Sequence, residues 1–245
     1  MPKLFKVGGC VRDKLLGIDS KDIDFTFVLD DCSKSVEEGF FEMKSWMESE
    51  GFEIFLSTPD MFTIRAKFPK GSKFEGTTAD FVMARKEVGY VEGTRRPILE
   101  LGTLEDDLIR RDFTVNAMAE DVDGNIIDPF DGKFALKDKV LITPLDPKVT
   151  FMDDPLRMLR ALRFSVTKGF RIDPKVWIAM FQPNLIEKLE LVVSVERIRE
   201  EVDKMMRADT IKTLRLFSEI DSIEPKFMEA VFGKNLWLSP TMKKK

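Results

Sequence analysis

Apolar and polar positions change period near the middle of the chain. In the front half, Lys3 to Val7 predicts a short strand, and Val11 to Leu16 predicts a helix stopped by Gly17. Asp22 to Leu29 alternates and then runs apolar, as a buried strand does. Phe40, Met43, Trp46 and Met47 recur at helical spacing between Phe40 and Glu50, ending at Gly51. Phe52 to Leu56, Phe62 to Phe68 and Thr78 to Ala84 predict three more strands, while residues 69–77 and 86–97, rich in Gly, Pro and charge, predict loops. Phe113 to Asp121 and Asn125 to Asp128 flank an Asp123-Gly124 hairpin turn. Beyond Pro155 the strand period vanishes. Leu156, Leu159, Leu162 and Val166 begin a helical stripe that Val176 to Phe181, Val195 to Met206 and Ile211 to Ile220 continue. Thr143-Pro144-Leu145-Asp146-Pro147 breaks any regular element, which places a boundary near residues 143–152. The pattern predicts an α+β front domain followed by a helical one.

Composition narrows the chemistry. With 43% hydrophobic and 33% charged residues over 245 positions, the chain buries a sizeable core, unlike a disordered, collagen-like or disulfide-stapled sequence. No apolar run reaches the ~18 residues of a membrane span. The opening Met1 to Lys6 lacks the apolar length of a signal peptide, so a cytoplasmic location is expected. There is no histidine, which excludes Ser-His and Cys-His catalysis and histidine metal sites. Two cysteines, Cys10 and Cys32, make neither a disulfide framework nor a four-ligand zinc site. Carboxylates without soft ligands suit a hard, oxygen-seeking cation such as Mg²⁺. Residues 151–245 carry 18 Lys and Arg against 14 Asp and Glu, a charge of +4, so the formal net charge of −4 leaves −8 in residues 1–150. An acidic front suits a cation and a mildly basic back suits a polyanion, although a solvated surface explains the balance as well.

Five segments carry candidate chemistry. Gly8-Gly9-Cys10-Val11-Arg12-Asp13 follows a strand and opens a helix; the glycines admit close approach of a ligand and Arg12 suits phosphate, but an ordinary turn fits too. Asp22 and Asp24, one strand-step apart, form a divalent-metal cradle or simply two solvated acids. Asp80 stands alone in an apolar strand; it joins them if its strand is adjacent, or pairs with Arg85 at an edge. Arg110-Arg111-Asp112, followed by Asn116, suits phosphate and ribose, or a local ion pair with a capping Asn. Asp154-Pro155 reads as a helix start, and Arg157, Arg160 and Arg163 recur on one face, as solvated charges or as donors beside an Asp acceptor that read a base edge.

Taken in order, Gly8-Gly9-x-Val11-Arg12-Asp13, Asp22-x-Asp24, Arg110-Arg111-Asp112-Phe113-Thr114-x-Asn116-Ala117-Met118 and Asp154-Pro155-x-Arg157-x-Leu159-Arg160-Ala161-x-Arg163-Phe164 resemble the class II tRNA nucleotidyltransferase and bacterial poly(A) polymerase family. The resemblance covers about residues 4–205 and includes Ser194-Val195-Glu196-Arg197-Ile198-Arg199-x-Glu201. It implies a nucleotidyltransferase head with a small mixed sheet over residues 1–145, a helical neck over 146–208 and a short helical body remnant over 209–245. It implies that Asp22 and Asp24 hold two Mg²⁺ ions, with Asp80 as the third acid. Gly8, Gly9 and Arg12 would contact the triphosphate; Arg110, Arg111, Asp112 and Asn116 would lie near ribose and phosphates. Asp154 and Arg157 would pair with the base of CTP or ATP as a protein template, supported by Arg160 and Arg163. Asp128-Pro129-Phe130-Asp131-Gly132 resembles the family's link between head and neck, and Asp153 stands where the family usually has Glu.

The implied activity is template-independent addition of CCA to tRNA 3′ ends. A poly(A) polymerase-like enzyme, a nucleotidyltransferase for another acceptor and a non-catalytic RNA- or nucleotide-binding protein are the alternatives. A second copy or a partner would supplement the short C-terminal part in holding RNA.

Overall fold

A computed structural model of the chain describes residues 2–20, 22–90 and 97–233. They form two compact units, residues 1–133 and 134–245.

The first unit begins with β1 (Lys3–Val7), α1 (Gly9–Leu15), β2 (Asp24–Val28), α2 (Val36–Ser49), β3 (Glu53–Thr58), β4 (Thr63–Lys67) and β5 (Thr78–Met83), the elements expected from periodicity. It continues with β6 (Arg85–Tyr90), β7 (Pro97–Leu101), α3 (Leu104–Ile109), β8 (Ala119–Glu120) and β9 (Ile126–Ile127). Seven strands make one sheet in the order β3-β4-β5-β2-β1-β8-β9. Among the described residues its only parallel pair is β2 with β5; the other neighbours run antiparallel. Phe25, Phe27, Ile64, Ala66, Phe81 and Met83 turn one sheet face onto Val36, Phe40, Met43 and Met47 of α2. A Ser35–Glu38 capping box starts α2, and Gly51 at φ +83 follows its end.

Three expectations in this unit are corrected. Asp22 precedes the ladder, which begins at Asp24, so strand alternation alone does not align the two acids. Residues 86–97 do not form a plain loop: β6 and β7 pair antiparallel, with Lys86 opposite Glu100 and the two 3.0 Å apart. Gly and charge lower local strand preference, but cross-strand partners restore it. Positions 91–96 of that expected loop lie outside the described residues. Phe113 to Asp121 is mostly not strand: Thr114–Asn116 forms a 3-10 turn and only Ala119–Glu120 joins β9. Burial there is continuous from Phe113 to Ala119, so the apolar run carried no period to read. The Asp123-Gly124 hairpin forms, with Gly124 at φ +92.

The second unit contains β10 (Val140–Leu141), α5 (Pro147–Asp153), α6 (Leu156–Thr167), β11 (Arg171–Ile172), α7 (Pro174–Met180), α8 (Pro183–Val192), α9 (Val195–Ala208), α10 (Thr210–Ile223) and α11 (Pro225–Phe232); α4 (Gly132–Lys137) leads into it. Proline starts α5, α7, α8 and α11, where its missing N–H is not needed. Leu156, Leu159, Leu162 and Val166 are buried, as the stripe on α6 predicts. Strand pairing persists past Pro155, since β10 pairs parallel with β11, and two residues are too short to show a period. That pairing ties residues 140–141 to the helical unit. α10 lies against α9 and α11 against α8, so residues 209–233 share this unit's packing. No helix among the described residues is long and apolar enough to cross a membrane.

Candidate nucleotidyl-transfer site

Strand order brings the acids of the first unit together. The parallel β2–β5 pair sets Asp24 opposite Asp80. Since Phe25 and Phe81 point into the core, Asp24 and Asp80 share the opposite face of the sheet. Burial pushes the Asp24 carboxyl above the ordinary carboxylate range; Asp80 and Asp22 push it further, against the pull of Arg111 and Arg65. Such a group is destabilising when ionised, and a cation among the three acids relieves the conflict.

Asp80 is on an inner strand, not an edge, and Arg65 rather than Arg85 holds it. Arg65 stands opposite Asp80 in the β4–β5 register. Its Nε and Nη2 donate to the two carboxylate oxygens at 2.7 and 2.6 Å. Arg85 instead donates to the Met61 carbonyl at 2.7 Å, with its guanidinium 5.5 Å from the centre of the Phe62 ring.

A second cluster surrounds Asp107, a fully buried residue of α3. Arg110 donates to its Oδ1 at 2.6 Å, while Arg111 and the Thr26 hydroxyl donate to its Oδ2, each at 2.8 Å. Burial alone raises an acid, but Arg111 and Arg110, with the Arg111 and Thr26 hydrogen bonds, outweigh it and hold the carboxyl at about 2. The same carboxylate thereby fixes both arginines. Arg111 Nε is buried with no hydrogen-bond partner among the described residues. A Cβ on Gly8 would lie 2.7 Å from Arg111 Nη1, and Gly8 has φ +75, so only glycine fits between β1 and α1. At Gly9 the nearest atom, Arg12 Nη2, is 3.4 Å away.

Arg12 is buried. It donates to Asp13 through Nε and Nη2 at 2.9 Å each, and to Asn116 Oδ1 at 2.6 Å. Asn116 donates in turn to Asp112 Oδ1 at 2.8 Å, which also accepts from the Phe113 N–H. Three expected site residues thus form one network that locks α1 to the turn at 114–116. Sequence reasoning missed Asp107, Arg65 and Thr26. The i+3 and i+4 spacing of Arg110 and Arg111 from Asp107 was a usable signal; Arg65 is visible only once strands are paired.

Among the described residues, no three Cys, Asp or Glu side chains close around one point as a metal cage made of protein alone. Mg²⁺ rarely needs one: it takes one or two carboxylates and completes its shell with water and phosphate oxygens. Asp24, with Asp22 and Asp80 acting on it, offers that hard oxygen set.

The second unit holds the other expected residues. Asp154, between α5 and α6, accepts from the Leu156 N–H through Oδ1 at 3.1 Å, and its Oδ2 accepts from Arg197 of α9 at 2.8 Å. Arg157 donates to the Thr150 carbonyl at 3.0 Å. Arg163 is not solvated: it donates to buried Glu201 at 2.5 Å and lies 4.3 Å over the Phe164 ring. Arg160 approaches the same ring at 5.8 Å.

Residues 4–142 match the family described as the Poly A polymerase head domain. The chain is 35% identical over 215 residues to the tRNA nucleotidyltransferase cca2 of Schizosaccharomyces pombe, covering 84% of this chain and 43% of that protein. The crystal structure of the Bacillus stearothermophilus CCA-adding enzyme in complex with CTP superposes with a TM-score of 0.70 at 28% identity, over 89% of this chain and 48% of that one. A tRNA nucleotidyltransferase complexed with a primer tRNA and an incoming ATP analog gives a TM-score of 0.67 at 29% identity, over 94% and 59% respectively. The chain spans about half the length of these relatives.

Proposed function

Because this chain belongs to the Poly A polymerase head domain family, we propose that it is an RNA nucleotidyltransferase that adds CCA to tRNA 3′ ends from CTP and ATP without a nucleic-acid template. The observation that supports this most is the in-register Asp24–Asp80 pair, with Asp22 raising the Asp24 carboxyl further. Asp22 and Asp24 would hold two Mg²⁺ ions, with Asp80 as the third acid. When bound, the metal supplies acidity to the RNA 3′-hydroxyl and charge neutralisation to the leaving pyrophosphate.

The chain's own residues do the remaining work. Gly8, lacking Cβ, leaves room for a phosphate beside Arg111. Arg110 and Arg111 are pre-aimed by Asp107, so little side-chain freedom is lost when they meet the triphosphate. Arg12 and Asn116 hold Asp112 and the 114–116 turn in place on the ribose side. Asp80 orients the attacking hydroxyl in line with the leaving group. In the second unit, Asp154 accepts from the exocyclic amine that C and A share, and Arg157 donates to a ring acceptor. U and G carry a carbonyl where that amine would be and leave the acid unpaired. Arg197 and the α6 amide keep Asp154 oriented. The reaction's setting is cytoplasmic.

Incubation with Mg²⁺, labelled nucleotides and tRNA lacking its 3′ end tests this. Extension that stops after C-C-A is expected, and Asp24→Asn should abolish it with the circular-dichroism spectrum intact. A long A tail, label on a different acceptor, or no transfer would replace the proposal by a poly(A) polymerase-like enzyme, another transferase, or a binding protein.

A further inference from the structure

The arginine–carboxylate clusters at Asp107 and at Asp80 differ in their exposure. Asp107 has 1% side-chain exposure and its arginines 29% and 21%, so that cluster is anchored on a buried carboxylate. Arg65 and Asp80 are 55% and 29% exposed. Their bidentate contact uses both carboxylate oxygens, yet an exposed pair of this kind is easily broken. Asp22 and Asp24 also act on the Arg65 guanidinium by charge, from β2, which lies beyond β5, and from the approach to it. Arg65 therefore offsets, in the free protein, the repulsion among three acids that a metal would otherwise offset.

We propose that Arg65 is an internal counter-cation: it holds Asp80 in place of a divalent metal ion and competes with that ion for the carboxylate oxygens. The inference rests on Asp22 and Asp24 as the residues that hold the metal, and it adds Asp80, the third acid, to the carboxylate oxygens the metal reaches. A metal approaching alone must displace the guanidinium, whereas one arriving with a triphosphate brings further ligands to the exchange. Arg65 thus makes metal binding depend on the nucleotide. Neither the length of β4 nor the residue's neighbours in sequence indicate this; the β4–β5 register does.

Mn²⁺ binding followed by electron paramagnetic resonance, without nucleotide, tests the competition. Arg65→Gln should tighten Mn²⁺ about fivefold, the scale of a partly exposed ion pair. In an Asp80→Asn background the same change should shift the dissociation constant by less than about twofold, because the coupled partner is gone. Arg65→Lys, which keeps the charge but loses the two-pronged contact, should fall between wild type and Arg65→Gln and serves if the Gln variant folds poorly. An unchanged constant, or equal tightening with and without Asp80, overturns the inference. If wild-type Mn²⁺ binding is absent, or is indifferent to Asp24→Asn, the metal role itself fails, which is a separate outcome from indifference to Arg65 alone.

Discussion

Asp107 sets the basic side of the site through one carboxylate. Its folded pKa of about 2 lies below the usual 3.8, because Arg111 and Arg110 outweigh its burial. An acid depressed in this way adds stability that is complete above its unfolded pKa and is lost as pH falls through the folded value, here between about 4 and 2. Asp107→Asn leaves two arginine charges short of a partner and should cost about 3 kcal/mol at neutral pH. Urea unfolding should show a lower midpoint for the variant at pH 7, with the gap to wild type closing as pH drops below 4. A gap independent of pH would mean the arginines do not depress Asp107. At this scale the sequence singled out Gly8, Arg110 and Arg111 from their local context but not Asp107, although it stands only three and four residues before the two arginines. Arg65 and Asp80 are 15 residues apart and meet only across a ladder.

Among elements, the packing of α6 on α9 depends on a charged contact beside an apolar seam. Met158, Leu159 and Leu162 of α6 are fully buried, as are Val202 and Met205 of α9, and Arg163 reaches Glu201 across that junction. Glu201→Gln removes the charge opposite Arg163 in a site only 5% exposed and should cost about 2–4 kcal/mol. Lys204→Ala, which removes an exposed contact to the same glutamate at 3.7 Å, should change stability by less than about 0.5 kcal/mol. Thermal melts of the two variants separate these outcomes, and similar shifts would show that the Arg163–Glu201 contact is merely superficial. Of this unit's helices, α5, α8 and α11 went unread although proline opens each, and only α6, α7, α9 and α10 were readable from their apolar spacing. The β6–β7 pair was not, since its stability comes from partners across the ladder.

At the scale of the whole molecule, each unit holds its own part of the proposed chemistry: the acids and the arginines proposed for phosphate in the first, and Asp154 and Arg157, proposed to read a base edge, in the second. Arg157→Ala should therefore leave metal binding unchanged while reducing the preference for CTP and ATP over UTP and GTP by about tenfold, the scale of one lost polar contact in discrimination. Competition assays with mixed nucleotides read this directly, and an unchanged preference would remove Arg157 from base recognition.

The order of amino acids alone predicted the stripes of α6, α7, α9 and α10 and the helix start at Asp154-Pro155, excluded histidine chemistry and carried the family motifs, because all of these depend on residues close in the chain or on composition. The tertiary fold placed β2 beside β5, matched Asp24 to Asp80, left Asp22 ahead of the strand and gave Asp80 its arginine from β4. Register between distant strands is set by which apolar faces pack together, and no local period encodes it.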